Sequence, residues 1–237
     1  MQLAYTEYTE HLKILKNNGF NPKLVIDIGI SNGEFFYECQ KIFNSAQYLL
    51  FEARKESETE IEKVLPEVTV KYTKYFDTLL GDGWKDNVPF YQIDAGSSIY
   101  KENTKFPSQT VYKNVRPLDM YLIDKFNENT GIPFPIFMKI DTQGAELDIL
   151  RGAVTHLPLI EVVQLEVALQ EYNIGAPGVF EVHEFMNKFG FKLYDLGSAF
   201  RKESNGTLFH MDWIFVAKRS KLWQDRGYFW LGELKYE

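Results

Sequence analysis

Cysteine is nearly missing from this chain: Cys39 is the only one in 237 residues, so no intrachain disulfide can form. A reducing compartment is the plain expectation, and with it a cytoplasmic protein. Cys39 falls in a predicted helix and reads as a packing residue. Basic charge is also short. Lys and Arg number 26 against 33 Asp and Glu, a net charge of −7, and no Lys/Arg cluster stands out. A nucleic-acid backbone is therefore not an expected partner, whereas glycan, small-molecule or protein substrates fit better. The N-terminal Met-Gln-Leu-Ala-Tyr-Thr-Glu lacks the basic and apolar regions of a signal peptide. No apolar run nears the ~18 residues needed to cross a bilayer, so no membrane partner is expected. No ligand cluster has diagnostic metal spacing, and no metal is expected. Repeats, low-complexity tracts and linkers are absent too, which argues for one domain over 1–237.

What is present is organised around Leu24-Val25-Ile26-Asp27-Ile28-Gly29-Ile30-Ser31-Asn32-Gly33. A β-branched apolar run of strand length turns through Gly29 and Gly33 into a helix predicted over Phe35–Phe43. Such a corner brings backbone close to a ligand and offers it the unpaired N–H groups of a helix start. The glycine triplet G-x-G-x-x-G that grips a pyrophosphate is missing, and an acid precedes the first glycine. That acid would repel phosphate and suits an ammonium. S-adenosylmethionine (SAM) carries an ammonium and a sulfonium and no phosphate. From this stretch alone, an ordinary βα turn remains the rival reading.

The rest of the chain alternates strands and helices, as in a doubly wound α/β fold. Tyr5, Tyr8, Leu12 and Leu15 form a helical stripe that Asn18-Gly19 can end. Gln47–Glu52 reads as a strand ending in an acid. Glu52 lies 25 positions after Asp27, near the ~20-residue spacing at which these folds place a ribose-binding carboxylate. A helix is predicted over Lys55–Leu65, then a strand from Val68 to Tyr72 reaching toward Phe76-Asp77. Val88–Ile93 and Thr110–Val115 are expected to pair, joined by a long connection holding Gly96-Ser97-Ser98, and long structured loops often carry function. A short helix follows from Pro117 to Phe126. Ile136–Ile140 then repeats the opening pattern into Asp141 and Gly144, with Leu147, Leu150 and Val154 on one helix face. Ile160–Val167 reads as a buried strand whose Glu166 is either paired structurally or turned to a site. A helix over Val179–Phe189 precedes strands at Phe191–Leu196 and Met211–Ala217, with a loop or hairpin at Ser198–His210. The aromatic tail, 218–237, could pack on the core, shape a pocket rim or support a homodimer. Asp27, Glu52 and Asp141 all fall at strand ends, where ligands sit in open α/β sheets.

At this point the residues resemble a known family. V-I-D-I-G-I-S-N-G, L-F-E-A, the G-S-S-I loop and above all M-K-I-D-T-Q-G-A-E-L-D-I-L-R-G-A are similar to the FkbM-type SAM-dependent methyltransferases. The later L-E-V-A-L-Q-E-Y and F-E-V-H-E-F-M-N-K-F-G-F are similar in character, so the likeness runs from about Leu24 to Ala217. The chain departs from the family at Ile30-Ser31, where Ala and Asn usually follow the first glycine. The resemblance implies a class I methyltransferase (Rossmann-like) fold, with a seven-stranded, mostly parallel sheet between helices. It also implies SAM as cofactor and O-methylation of a hydroxyl on a sugar, glycan or other small natural product. By position, Asp27, Gly29, Ser31, Asn32 and Gly33 would lie at the methionine moiety and Glu52 and Ala53 at the ribose. Ser97 and Ser98 would reach the cofactor, and Asp141 would sit beside the methyl. For the base that an alcohol acceptor needs, Asp141 is the first candidate, Glu146 the second, and His183 and His210 are alternatives. A nicotinamide oxidoreductase and a non-enzymatic glycan-binding or scaffold protein are the competing classes.

Overall fold

A computed structural model describes residues 9–54, 73–125, 131, 133–202 and 204–224. Its central sheet has seven strands: β1 (Leu24–Ile28), β2 (Gln47–Glu52), β3 (Thr73–Asp77), β7 (Ile136–Ile140), β8 (Val162–Ala168), β9 (Phe191–Arg201) and β10 (Leu208–Ala217). Their spatial order is β3-β2-β1-β7-β8-β10-β9. β1, β2, β3, β7 and β8 run parallel, and β10 is antiparallel to both of its neighbours. The order reverses between β1 and β7, which opens a crevice beyond their carboxyl ends.

Period-two alternation assigns the two faces. Val25, Tyr48, Leu50, Phe137, Val162 and Ile214 pack under α1 (Glu10–Asn17) and α2 (Glu34–Ile42), on Leu12, Leu15, Phe36 and Cys39. The alternate residues Leu24, Ile26, Ile28, Leu49, Phe51, Met138 and Leu165 pack under α3 (Leu118–Lys125), α4 (Glu146–Arg151) and α5 (Val179–Lys188). Cys39 is buried, as its packing role required.

Several expectations are corrected or fall elsewhere. The pair β5 (Lys85–Gln92) and β6 (Gln109–Arg116) forms as expected. It makes a separate three-stranded sheet with the two-residue β4 (Leu79–Leu80), whose brevity hides it from pattern reading. α4 stops at Arg151, so Val154 lies past its end at 43% exposure, and Ile149 takes the buried place. Of the two readings of Ser198–His210, the hairpin is the one that forms: the β9–β10 ladder runs through Phe200 and His210, with Arg201 opposite Leu208. Tyr5, Tyr8, the expected Lys55–Leu65 helix, the expected Val68–Tyr72 strand, Phe126 and the tail beyond Gln224 lie outside the described residues.

Candidate active site

The face of the sheet under α1 and α2 changes character toward the carboxyl ends of the parallel strands. Val25, Phe137 and Val162 give way to Asp27, Lys139, Gln164 and Glu166, and β10 adds Asp212 and His210 from its opposite direction. Asp27 stands beside Lys139, Lys139 beside Gln164, and Glu166 beside Asp212 in register, so the polar groups form a row across four strands.

Lys139 is the hub of that row. Its ammonium lies 3.0 Å from Asp141 and 4.0 Å from Asp27. Desolvation pulls its pKa down, but Asp141, Asp27 and Asp212 outweigh it, so the ammonium stays charged. Burial alone would raise the Asp141 carboxyl, yet the charge and hydrogen bond of Lys139 hold it below the ordinary range. Asp27 is different. It is fully buried, neither carboxylate oxygen has a hydrogen-bond partner among the described residues, and burial pushes its pKa up to about 6 even against Lys139.

Above this row lie two cavities. The first, about 160 Å³, is lined by polar and small residues, Gly29, Ser31, Glu52, Ala53, Arg54, Asp141 and Glu166, and by apolar ones, Leu79, Leu80, Phe90, Ile99 and Ile149. The second, about 490 Å³, is lined by Asn32, Phe35, Lys139, Gln164, Ser198, Phe200, His210 and Asp212. The two share Gly29, Ser31, Asp141 and Glu166.

The glycine corner is shaped by close packing. Gly29 has φ +78°, and a Cβ there would stand 1.9 Å from the Asp141 carbonyl oxygen, so no other residue fits without moving the β1–β7 junction. Ser31, Asp94 and Gln143 also hold positive φ angles of 50°, 41° and 56° without being glycine, and all three line the first cavity. Backbone held in this sparse region is kept there by its surroundings and gathers at functional sites. Glu52 supplies part of the hold: its carboxylate accepts from the backbone N–H groups of Ser31, Ala53 and Arg54, each at 2.8 Å. Arg54 donates to Ser31 Oγ and to Asp94, each at 3.0 Å.

Of the expected site residues, the structure brings Gly29, Ser31, Glu52, Ala53, Ser97, Ser98 and Asp141 to the first cavity, and Asn32 to the second. Ser98 donates to the Gln143 carbonyl and ties its loop to the turn after β7, whereas Ser97 folds back on the Asp94 carbonyl. Gly33, at φ +82°, starts α2. Asp27 reaches neither cavity and lies beneath the turn. Glu146 is likewise turned away from both. It accepts from the backbone N–H groups of Thr142 (2.9 Å) and Gly144 (3.2 Å), a brace for the loop, and burial raises its pKa to about 7. His183 is corrected outright: it is exposed on α5, on the opposite face of the sheet from α2, and lines neither cavity. A mid-helix histidine three residues from buried Met186 gave no sign of facing outward.

Residues that sequence reasoning missed include Lys139, Gln143, Arg54 and Asp212. Lys139 and Asp212 had a signal: each is a lone charge in an otherwise apolar strand. Arg54 and Gln143 had none, because their partners are 23 to 40 positions away. Among the described residues no cluster of His, Cys, Asp and Glu has the geometry to hold a metal ion. No helix there is long and apolar enough to cross a membrane.

The profile of the Methyltransferase FkbM domain matches residues 27–193, from the acid beneath the glycine turn to the start of β9. The chain belongs to the FkbM methyltransferase family. Its methyl donor is SAM. A search of curated proteins returns no match. Among solved structures, cofactor-bound Rv0187 from MTB is similar at 8% identity and TM-score 0.52, covering 93% of this chain and 84% of that one. Magnesium protoporphyrin IX methyltransferase from Synechocystis PCC 6803, solved with bound SAM, has 10% identity and TM-score 0.50, with coverage of 89% and 77%. A candidate RNA methyltransferase from Pyrococcus horikoshii has 13% identity and TM-score 0.49, with coverage of 92% and 86%. At such identities the first two likenesses speak to the fold alone.

Proposed function

We propose that this FkbM methyltransferase O-methylates a small, neutral polyhydroxylated acceptor such as a sugar. The observation that carries the reading is the meeting of two cavities at Gly29, Ser31, Asp141 and Glu166. One is shaped for a nucleoside, and the other is wide enough for a second molecule.

The donor set of the first cavity fits SAM. Carboxylates outnumber cationic groups in its lining, where Glu52, Asp94, Asp141 and Glu166 face the one guanidinium of Arg54. That excess negative charge favours a cation and disfavours a phosphate. The Glu52 carboxylate suits ribose hydroxyls, and the apolar Leu79, Leu80, Phe90 and Ile149 suit an adenine ring. When bound, SAM supplies an electrophilic methyl on a sulfonium. The protein's task is then to hold the acceptor oxygen in line at ~3–3.5 Å, exclude water and take up a proton.

The second cavity is lined by Lys139 and Gln164 as donors, by Asp141, Glu166 and Asp212 as acceptors, by Ser198, whose hydroxyl donates to Asp212, and by the rings of Phe35 and Phe200. The Gln164 amide nitrogen, fully buried, has no partner. Mixed donors and acceptors match hydroxyls, which do both. Acidic lining opposes a phosphate backbone, so small molecules rather than nucleic acid are the expected acceptors. Asp141, kept ionised by Lys139, is better suited to orient the acceptor than to take its proton, since a low pKa makes a weak base.

Titration calorimetry tests the cofactor part: SAM binds the wild type and fails to bind Gly29→Val. Binding of NAD in its place would overturn the reading. Transfer of labelled methyl from SAM across a panel of methyl glycosides, other polyols and short RNAs tests the acceptor part, and labelled RNA with unlabelled polyols would refute it.

A further inference from the structure

His210 sits in the wall of the second cavity with its side chain 23% exposed, and its Nδ1 lies 3.2 Å from Glu166 Oε2. Glu166, on β8, is 8% exposed at its side chain and lines both cavities. Its other oxygen accepts from Gln143 Nε2 at 3.1 Å and from the Tyr172 hydroxyl at 3.0 Å, while Tyr172 also lies 2.9 Å from Gln143 Oε1. Phe200 from β9 stacks on the imidazole, with ring centroids 5.1 Å apart and planes 15° off parallel. Gln143 thus donates to the carboxylate, the single Tyr172 proton is shared between it and Gln143 Oε1, and the ring stands against the carboxylate on one side and the Phe200 face on another. A histidine whose Nδ1–H is held by a fixed carboxylate presents an unprotonated Nε2.

We propose that His210 is the proton acceptor for the methylated hydroxyl, with Glu166 as the positioning residue that holds its Nδ1–H. This deepens the reading above and rests on it. As the acceptor's O–C bond forms and the S–C bond breaks, the S–C pair stays on sulfur and the hydroxyl proton passes to Nε2. The imidazolium so formed is offset by Glu166, with Asp141 just past β7 and Asp212 on β10 nearby.

The surroundings favour this state. Burial lowers the pKa of His210, opposed by Asp141 and Asp212, so the ring is a neutral base near pH 7. Burial also pushes the Glu166 carboxyl up, with Asp141, Glu146 and Asp212 adding to the rise. Its Gln143 and Tyr172 donors act the other way, as does a cationic ligand in the first cavity. The working state of the pair therefore belongs to the SAM complex, and Glu166 is the group that faces both ligands.

Nitrogen-15 NMR of histidine-labelled protein saturated with SAM tests the assignment without an acceptor. At pH 7 the His210 ring should be neutral, with its proton on Nδ1, and Glu166→Gln should erode that preference. A proton on Nε2, or a charged ring, would overturn the assignment. His210→Gln should bind SAM within about twofold of wild type and lose about 10²–10⁴-fold in methyl transfer, the usual contribution of a positioned base; undiminished transfer would also overturn it. Failure of wild-type protein to bind SAM would instead strike the cofactor reading, so the two failures are distinguishable.

Discussion

Asp27 offers the sharpest test of the electrostatics beneath the site. Its carboxyl is fully buried and without a hydrogen bond among the described residues, and burial lifts its pKa from 3.8 to about 6. Because the folded-state value lies above the unfolded one, the folded protein holds this proton more tightly. The resulting stability is fully present below pH 3.8 and is lost as pH rises through about 6. A rise of roughly two units at 1.36 kcal/mol each amounts to about 3 kcal/mol. For a chain of this length that corresponds to about 6–12 °C in Tm. Asp27→Asn has nearly the same shape and no charge to lose, so its stability should lack this component. Urea unfolding of both proteins at intervals from pH 4 to pH 8 measures the difference. The variant should gain about 2.4 kcal/mol relative to wild type across that window, most of it below pH 6.5. If the two stability curves run parallel, Asp27 is not a charge held in a dry interior, and the account of the row around Lys139 is wrong.

Gly29→Ala should destabilise the fold by more than the ~1–2 kcal/mol of left-handed strain alone, because the new Cβ meets the Asp141 carbonyl; a urea midpoint equal to wild type would contradict that packing. Glu52→Gln should weaken SAM binding about 10- to 100-fold in calorimetry through loss of charge-assisted hydrogen bonds, and undiminished affinity would remove Glu52 from the ribose role. His183→Ala should leave SAM affinity and turnover unchanged and shift stability by less than about 0.5 kcal/mol, as for other exposed positions; a large loss of turnover would bring the α5 face back into the mechanism. The acid limb of the pH–rate profile should have its midpoint below 6.5, because burial lowers the His210 pKa, and a midpoint above that value would point to a different base.

Local chemistry made much of this molecule legible. Apolar runs of strand length carrying an acid at or near the tip marked β1, β2 and β7, with a glycine turn after β1 and β7, because a buried parallel strand must be apolar and its end must turn back over the sheet. Gly29 was readable because the left-handed turn it makes is a backbone property of one residue. The same reasoning placed Glu52 and Asp141 at strand tips, and both line the first cavity. It erred where a side chain's direction depends on which face of an element is covered. His183 faces solvent, Asp27 and Glu146 face inward beneath the turn, and Val154 lies past the end of α4. Pairings between distant segments were invisible in one dimension: Arg54 with Asp94, Gln143 with Glu166, and His210 with Glu166 across two strands that run in opposite directions. Composition and periodicity were enough for the fold class and the glycine corner, since both follow from neighbours along the chain. The row of charges around Lys139, the shared wall of the two cavities and the imidazole set against Glu166 arise only when the sheet brings four strands into register, because hydrogen bonds and desolvation act through space.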